Sequence, residues 1–321
     1  GFDLLRLHTF NYLFSFRKGW LIYTPLIIFA LAGLFTLRKT HKKLFPALLI
    51  FSVIYIWVLS SWTCWWYAGS FSQRSILQAY PVFAIGLGSF LSYISGKKYR
   101  LIVYILIIMF MFLNLFMTWQ YEQDILHSNR MTKDYYFNVF GKTKKPAGAD
   151  SLLLLDRGLP KEKIINKENL QGPEMLHFND FENQRPKKLI DSSRHLSGKY
   201  SVLLDNENRF SPKFVIPYEK VTSSDFAVFK ISASIFPHDT ITDKDILIVS
   251  MFKHKGDAYK YRSSEQNATG EKLIPGKWYK KEFYYLSPPV RHPKNQLETY
   301  LWNRSDQKIN VDDFKVSVFL K

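Results

Sequence analysis

An α-helical transmembrane bundle of four helices, followed by an all-β jelly-roll or β-sandwich domain, is the fold class this sequence predicts. Three observations carry it. The first third has no acidic residue over more than a hundred positions, it contains four apolar runs of membrane-crossing length, and the last half breaks into short alternating segments bounded by turn residues.

Between Leu4 and Tyr121 there is no Asp or Glu, whereas Arg6, Arg17, Lys18, Arg38, Lys39, Lys42, Lys43, Arg74, Lys97, Lys98 and Arg100 all fall there. A soluble domain of that length would carry acids. With Asp3 included, this stretch supplies about ten of the formal +17 charges. The pI of 9.6 therefore reflects basic flanks of membrane helices, not a nucleic-acid surface. The mean hydropathy of −0.14 averages two halves of opposite character. The single cysteine, Cys64, excludes an internal disulfide framework and a cysteine-based zinc site. The chain opens at Gly1 without a signal-like segment, and reads as the continuation of helices lying upstream.

The apolar runs are residues 20–37, 44–62, 76–95 and 101–119, against the ~20 helical residues a hydrocarbon core requires. Pro25, Pro46 and Pro81 fall near their starts, where a missing amide costs least. Trp20, Tyr23, Trp62, Trp65, Trp66, Tyr67, Tyr80 and Trp119 fall near the run ends, as an interfacial aromatic belt requires. The basic clusters 38–43 and 97–100 mark cytoplasmic loops, and the loop 60–79, with Arg74 alone, is then extracytoplasmic. This gives a multi-pass protein of a bacterial inner membrane with its C-terminal domain in the periplasm. The domains are 1–120, transmembrane; 121–177, an interfacial helix at 132–140 and a linker, with a short strand at 151–156; and 178–321, the β domain. Its strands are expected at 200–205, 226–236, 246–252, 278–286, 297–303 and 309–320, with no long helical pattern between them.

Candidate site residues fall into three groups. In the external loop, Arg74 with Gln73 can grip a phosphate while Trp66 and Tyr67 cover a sugar or lipid tail; an aromatic belt with a snorkelling arginine is the alternative. In the β domain, Trp278, Tyr300 and Trp302 can stack on sugar rings, or serve as core. The triplets Asn267–Ala268–Thr269 and Asn303–Arg304–Ser305 match glycosylation acceptors by composition only.

Two resemblances extend this reading. Leu13-Phe14-Ser15, Arg17 to Pro25, the loop 65–75, and the run Trp119 to Tyr136 resemble the later helices of multi-spanning glycosyltransferases of the Bacteroidetes type. These are similar to protein mannosyltransferases of the glycosyltransferase C superfamily. The resemblance covers residues 1 to about 140. It implies transfer of a sugar from a polyprenyl-phosphate carrier to a glycan, lipid or protein acceptor, with membrane lipid as a partner. It implies Arg74 as the residue facing the carrier phosphate. The family's catalytic carboxylate has no counterpart here, so no catalytic residue is assigned and no ligands for a catalytic divalent metal are named. Asp180-Phe181-Glu182, Leu196 to Ser201, Tyr300 to Asn303 and Val311 to Phe314 are similar to jelly-roll carbohydrate-binding modules. That resemblance implies a glycan partner and a structural calcium ion held by Glu182, Asp312 and the Lys199 carbonyl, oxygen ligands that suit a hard cation. The alternative function is a non-catalytic, membrane-anchored carbohydrate-binding or scaffolding protein.

Overall fold

The computed structural model describes residues 1–5, 7–183, 189–290 and 292–321, and divides into two compact units, Gly1–Asp156 and Arg157–Lys321. The first unit is helical: α1 (Thr9–Phe14), α2 (Trp20–Tyr23), α3 (Ile27–Thr40), α4 (Leu44–Ser60), a 3₁₀ turn (Arg74–Ala79), α5 (Tyr80–Ser95), α6 (Arg100–Glu122) and α7 (Lys133–Val139). On α3 the buried residues Ile27, Ala30, Leu34 and Leu37 recur at helical spacing and form one face of a core that includes Phe83 of α5. The α3–α5 crossing is set by glycine: a Cβ on Gly33 would collide with the carbonyl of Gly86, and one on Gly86 with the carbonyl of Ala30. Small residues of this kind let helix backbones approach where apolar burial offers no drive, as in lipid. Thr36 Oγ1 and Ser89 Oγ, 2.6 Å apart, close the same seam with a hydrogen bond.

Two helical stretches, Arg74–Ser95 and Arg100–Glu122, are long and apolar enough to cross a membrane. The expectation of four spans is therefore carried only in part. The first apolar run is split into α2 and α3 because Pro25 lacks an amide and holds Thr24 off helical geometry, at φ −138° and ψ 64°. The second forms α4, whose 17 residues fall short of a full span. The third and fourth form the two long stretches. Helix α6 leaves Leu101, Ile102, Ile105, Phe112 and Leu115 outward and more than half exposed, an apolar surface with no partner inside the unit.

Helix α7 falls within the expected interfacial segment. Thr132, in extended conformation, caps it by accepting the Tyr135 amide at 3.1 Å, and Tyr135, Tyr136 and Val139 are buried against Met117 of α6. Gln120, buried on α6, donates to the carbonyls of Val139 and Lys142 at 2.9 and 2.7 Å. The expected strand at 151–156 is instead a 3₁₀ turn, Ala149–Leu152, followed by extended chain. Its leucines satisfied the apolar criterion for a strand, but the residue 154 amide pairs singly with the Arg130 carbonyl and no ladder forms.

The second unit opens with α8 (Lys161–Lys167) and continues as β1 (Gln171–Asn179), β2 (Ile190–Asp191), β3 (Ser201–Leu204), β4 (Phe214–Pro217), β5 (Val228–Pro237), β6 (Ile241–Thr242), β7 (Ile246–His254), β8 (Asp257–Ser263), β9 (Lys272–Leu273), β10 (Tyr279–Leu286), β11 (Gln296–Asn303) and β12 (Ile309–Leu320). All six expected strands are present, as β3, β5, β7, β10, β11 and β12. The sheets are antiparallel: β10-β5-β12-β3-β2 with β1 also on β12, and β4-β11-β7-β8. They enclose one core, with Phe229, Ile231, Ala233 and Ile235 of β5 facing Ile248 and Phe252 of β7 and Leu297 and Leu301 of β11. This is a β-sandwich. The expected domain start at 178 lies inside β1, whose polar residues concealed a strand that pairs with β12.

Strand β12 shows how sequence sets register. Val311, then Phe314, Val316 and Val318 face the core, so the period of two is broken once, at the bulge containing Asp313, whose φ is 51°. The extra residue lets β3 pair before the bulge and β1 after it, on the same edge of β12.

Candidate functional site

On β11, Leu297 and Leu301 point into the core, so alternation sends Glu298, Tyr300 and Trp302 to the outer face of the four-stranded sheet. Phe210 pairs with Trp302 through an isolated β-bridge, and its ring stacks on the indole at 6.0 Å between centroids while meeting Tyr300 edge-on at 5.7 Å. Phe210 is 49% exposed and Tyr261, on β8 beyond β7 in the same sheet, is 45% exposed. Burial, and then the nearby Tyr261, push the Tyr300 hydroxyl above its ordinary value.

Charges bracket the rings. Arg304 lies over Trp302 at 5.6 Å and bonds Glu265 at 2.6 Å; Lys213 lies over Tyr300 at 5.3 Å and reaches Glu298 Oε1 at 3.0 Å. Lys253 takes Glu298 Oε2 at 2.5 Å. Burial would raise the Glu298 carboxyl, but hydrogen bonds from Lys253 and Lys213 override it and hold the group below its usual value. The result is a strip of partly exposed aromatic faces with fixed donors and one ionised acceptor beside them. Such a surface can stack on the apolar faces of sugar rings and bond their hydroxyls.

Of the three aromatics expected to bind sugar, Tyr300 and Trp302 are thus brought together and Trp278 is not. Trp278 stands against Phe236 of the other sheet at 5.5 Å, with Arg194 5.8 Å from the same phenyl ring. The sequence reading missed Phe210, Lys213 and Arg304. Arg304, two residues after Trp302, was within reach of it; Phe210 was not, because a single bridge pair leaves no periodic signal. Asn303 is fully buried and its Oδ1 accepts from the Ser305 amide and hydroxyl, so that glycosylation triplet is spent on a turn.

The expected metal residues converge on one loop. Glu182 Oε1 accepts the amides of Lys199 and Tyr200 at 2.6 and 2.8 Å; Asp312 Oδ2 accepts those of Leu196 and Ser197 at 2.8 and 3.1 Å, and Oδ1 that of Asp313 at 2.7 Å. Lys199 therefore meets Glu182 through its N–H, where the resemblance implied its carbonyl. Gly198, at φ 63°, passes so close to Glu182 that a Cβ would overlap the carboxylate. Asp312 is fully buried, and desolvation raises its pKa despite the three amides. Among the described residues no three His, Cys, Asp or Glu side chains are grouped to hold a metal, and the implied set contains only two carboxylates. The two carboxylates supply oxygen donors, the kind a hard cation takes. A carboxylate oxygen has two lone pairs, and Glu182 Oε2 together with the second lone pair of Asp312 Oδ1 are not taken by these amides.

In the helical unit the residues of the loop at 60–79 have separate surroundings. Trp66 lies under Arg17, 3.9 Å from ring centroid to guanidinium, and Arg17 bonds the Asn129 carbonyl at 3.0 Å. Tyr67, at φ 50°, donates to the Leu59 carbonyl and packs against Trp62 and Tyr12. Arg74 is exposed, whereas Gln73 is buried and, among the described residues, neither of its amide atoms nor the hydroxyl of the adjacent Ser72 has a hydrogen-bond partner. The cation inside this loop is Lys18. It is 2% exposed, donates to the Ser70 carbonyl, and is lowered to about 7 by burial and then by Arg17 and Arg74.

No known protein family matches the sequence, and no curated protein matches it. Solved structures do resemble part of it. The CBM22-1 xylan-binding domain of Paenibacillus barcinonensis Xyn10C is 16% identical over 41% of this chain and 80% of that one, with a TM-score of 0.29. A xylan-binding domain from CBM 22 is 14% identical over 46% of this chain and 97% of its own, also at 0.29. A family 16 carbohydrate-binding module is 8% identical over 40% and 82%, at 0.27. Likeness at this level assigns no family.

Proposed function

We propose that this chain is a membrane-held glycan-binding protein whose contact surface is the outer face of the four-stranded sheet. The observation that carries the reading is the Phe210–Tyr300–Trp302 cluster, partly exposed and bracketed by Arg304, Lys213 and Glu298. The apolar outer surface of α6 supports a bilayer as the setting of the helical unit. With the basic loops inside, the β-sandwich lies on the periplasmic side of a bacterial inner membrane. Calcium belongs to the same reading as a structural ion. Glu182 and Asp312 would hold it, and it would tie the loop at 196–200 to β12.

A second reading, sugar transfer from a polyprenyl phosphate, is favoured by one observation: the buried Gln73 amide, unpartnered among the described residues, lies in the loop whose Ser70 accepts from the buried Lys18. A buried polar group without a partner costs about 1–3 kcal/mol, and an anionic headgroup would supply one. In this reading Lys18 joins Arg74 and Gln73 at the carrier phosphate.

Calorimetric titration of the detergent-solubilised chain with xylohexaose tests the leading proposal. Trp302→Ala removes the largest ring and should weaken binding about tenfold or more, the scale of losing an aromatic hot spot. Trp278→Ala should leave it unchanged. Equal effects of the two substitutions, or an unchanged affinity for Trp302→Ala, would reject the platform.

A further inference from the structure

Strands β8 and β10 are each an edge strand, one of either sheet. Between them, roofed by α8 and the 3₁₀ turn Ser264–Asn267, lies a cleft of about 310 Å³. Its charge is one-sided: Arg157, Lys161, Lys260 and Arg262 line it, against Glu162 as the sole acid. Arg157 is already engaged, donating to the Ser287 carbonyl and to Asp225 Oδ2 at 3.1 Å. The other three cations have no ion pair with an acid among the described residues.

The backbone holds these charges together. Lys260 adopts φ 57° where the β7–β8 register shifts, and Tyr285 donates to its carbonyl at 2.7 Å, so a bulge fixes its position at the cleft. Burial and then the neighbouring Arg262, Arg157 and Lys161 lower the Lys260 pKa, as expected where like charges are held close. Crowding cations around a concave surface costs free energy that a bound anion returns. The cleft is near the lower size limit of small-ligand sites, roughly 300 Å³. Gln266 and Asn267 add neutral amides suited to hydroxyl groups.

We propose that this cleft is a second ligand site, separate from the aromatic platform, that takes an acidic saccharide: a carboxylate or sulfate carried on a sugar ring. Lys260 and Arg262 bind the oxyanion, Lys161 closes on it from α8, and Gln266 and Asn267 bond the ring hydroxyls. The proposal goes beyond the platform reading and stands or falls independently of it.

The test is calorimetric titration of the full chain in detergent with trigalacturonate, a sulfated disaccharide, inorganic sulfate and xylohexaose. At least one of the acidic saccharides should bind, more tightly than inorganic sulfate, with affinity falling as salt is added. The double substitution Lys260→Ala with Arg262→Ala should weaken that binding at least about tenfold, the scale of losing charge-assisted hydrogen bonds. The charge-keeping pair Lys260→Arg with Arg262→Lys should recover most of it, which controls for folding. Trp302→Ala should leave acidic binding intact, so the two sites are read separately whatever xylohexaose does. Three results would overturn the proposal: no binding of either acidic saccharide, sulfate ion bound as tightly as the saccharides, or wild-type affinity in the alanine pair.

Discussion

Replacing Asp312 by alanine tests how the β-sandwich closes. The carboxylate is fully buried and accepts three backbone amides, from Leu196, Ser197 and Asp313. Each orphaned donor costs about 1–3 kcal/mol if it stays dry. Leu196 is 47% exposed, so water can reach the two loop amides once the carboxylate is gone. The net loss should be about 3 kcal/mol, most of it at the bulge beside Asp313. Pulse proteolysis of the full chain across a urea series, with β-unit fragments read by mass, gives the unfolding midpoint. At ~1–3 kcal/mol per molar urea, the midpoint should fall by about 1–3 M. The control is Asp306→Ala, whose side chain is 80% exposed and pairs with Arg209 at the surface. It should cost less than about 1 kcal/mol. If Asp312→Ala unfolds with Asp306→Ala, the buried carboxylate does not hold the loop and the closure argument fails.

Three further outcomes are expected. Calcium should raise the wild-type midpoint by up to ~2.7 kcal/mol at a hundredfold excess over its dissociation constant, and this response should vanish in Glu182→Gln; a wild-type chain indifferent to calcium and to chelator would remove the metal from the account. The Glu298 carboxyl is held below its usual value, so its contribution to stability is present above that value, near 4.5, and is lost as pH falls through the lower folded value. Glu298→Gln should therefore flatten the acid limb of the stability profile, and an unchanged limb would mean that the Lys253 and Lys213 pairs contribute nothing. In the helical unit, Gly33→Val should disrupt the α3–α5 crossing and lower the thermal stability of the solubilised protein sharply. Gly88→Ala, with open space around its Cβ, should not; similar melting of the two would refute the close-crossing account.

The strands were legible because alternation survives wherever one face is buried: β5 reads Phe229, Ile231, Ala233, Ile235, and β12 reads the same way on either side of its bulge. Strand β1 was not legible, since most of its residues are exposed, Met175 and Phe178 among them, so no buried face leaves an alternation, and its pairing is fixed by β12. Glu182 and Asp312 both bond the loop at 196–200, but residue type alone carries no sign that their oxygens face amides. Tyr300 and Trp302 share a face because they lie two apart on one strand. Trp278 was grouped with them because residue type carries no information about which sheet a side chain joins. Residue type likewise singled out Arg74 in the loop at 60–79 but gave no sign that Lys18, from before the first apolar run, is buried against Ser70 of the same loop.

Hydroxyl-radical footprinting of aromatic side chains, with and without xylohexaose, tests the central claim most directly. Oxidation of each ring is read by mass spectrometry on the intact chain, so no substitution disturbs the fold. A glycan seated on the outer face of the four-stranded sheet should protect Phe210, Tyr300 and Trp302 together, and Tyr261 beside them, while Trp278 and Phe236 keep their unliganded rates. Protection confined to Trp278 and Phe236, or saturating glycan that protects none of these rings, would contradict the assignment of this face as the glycan site.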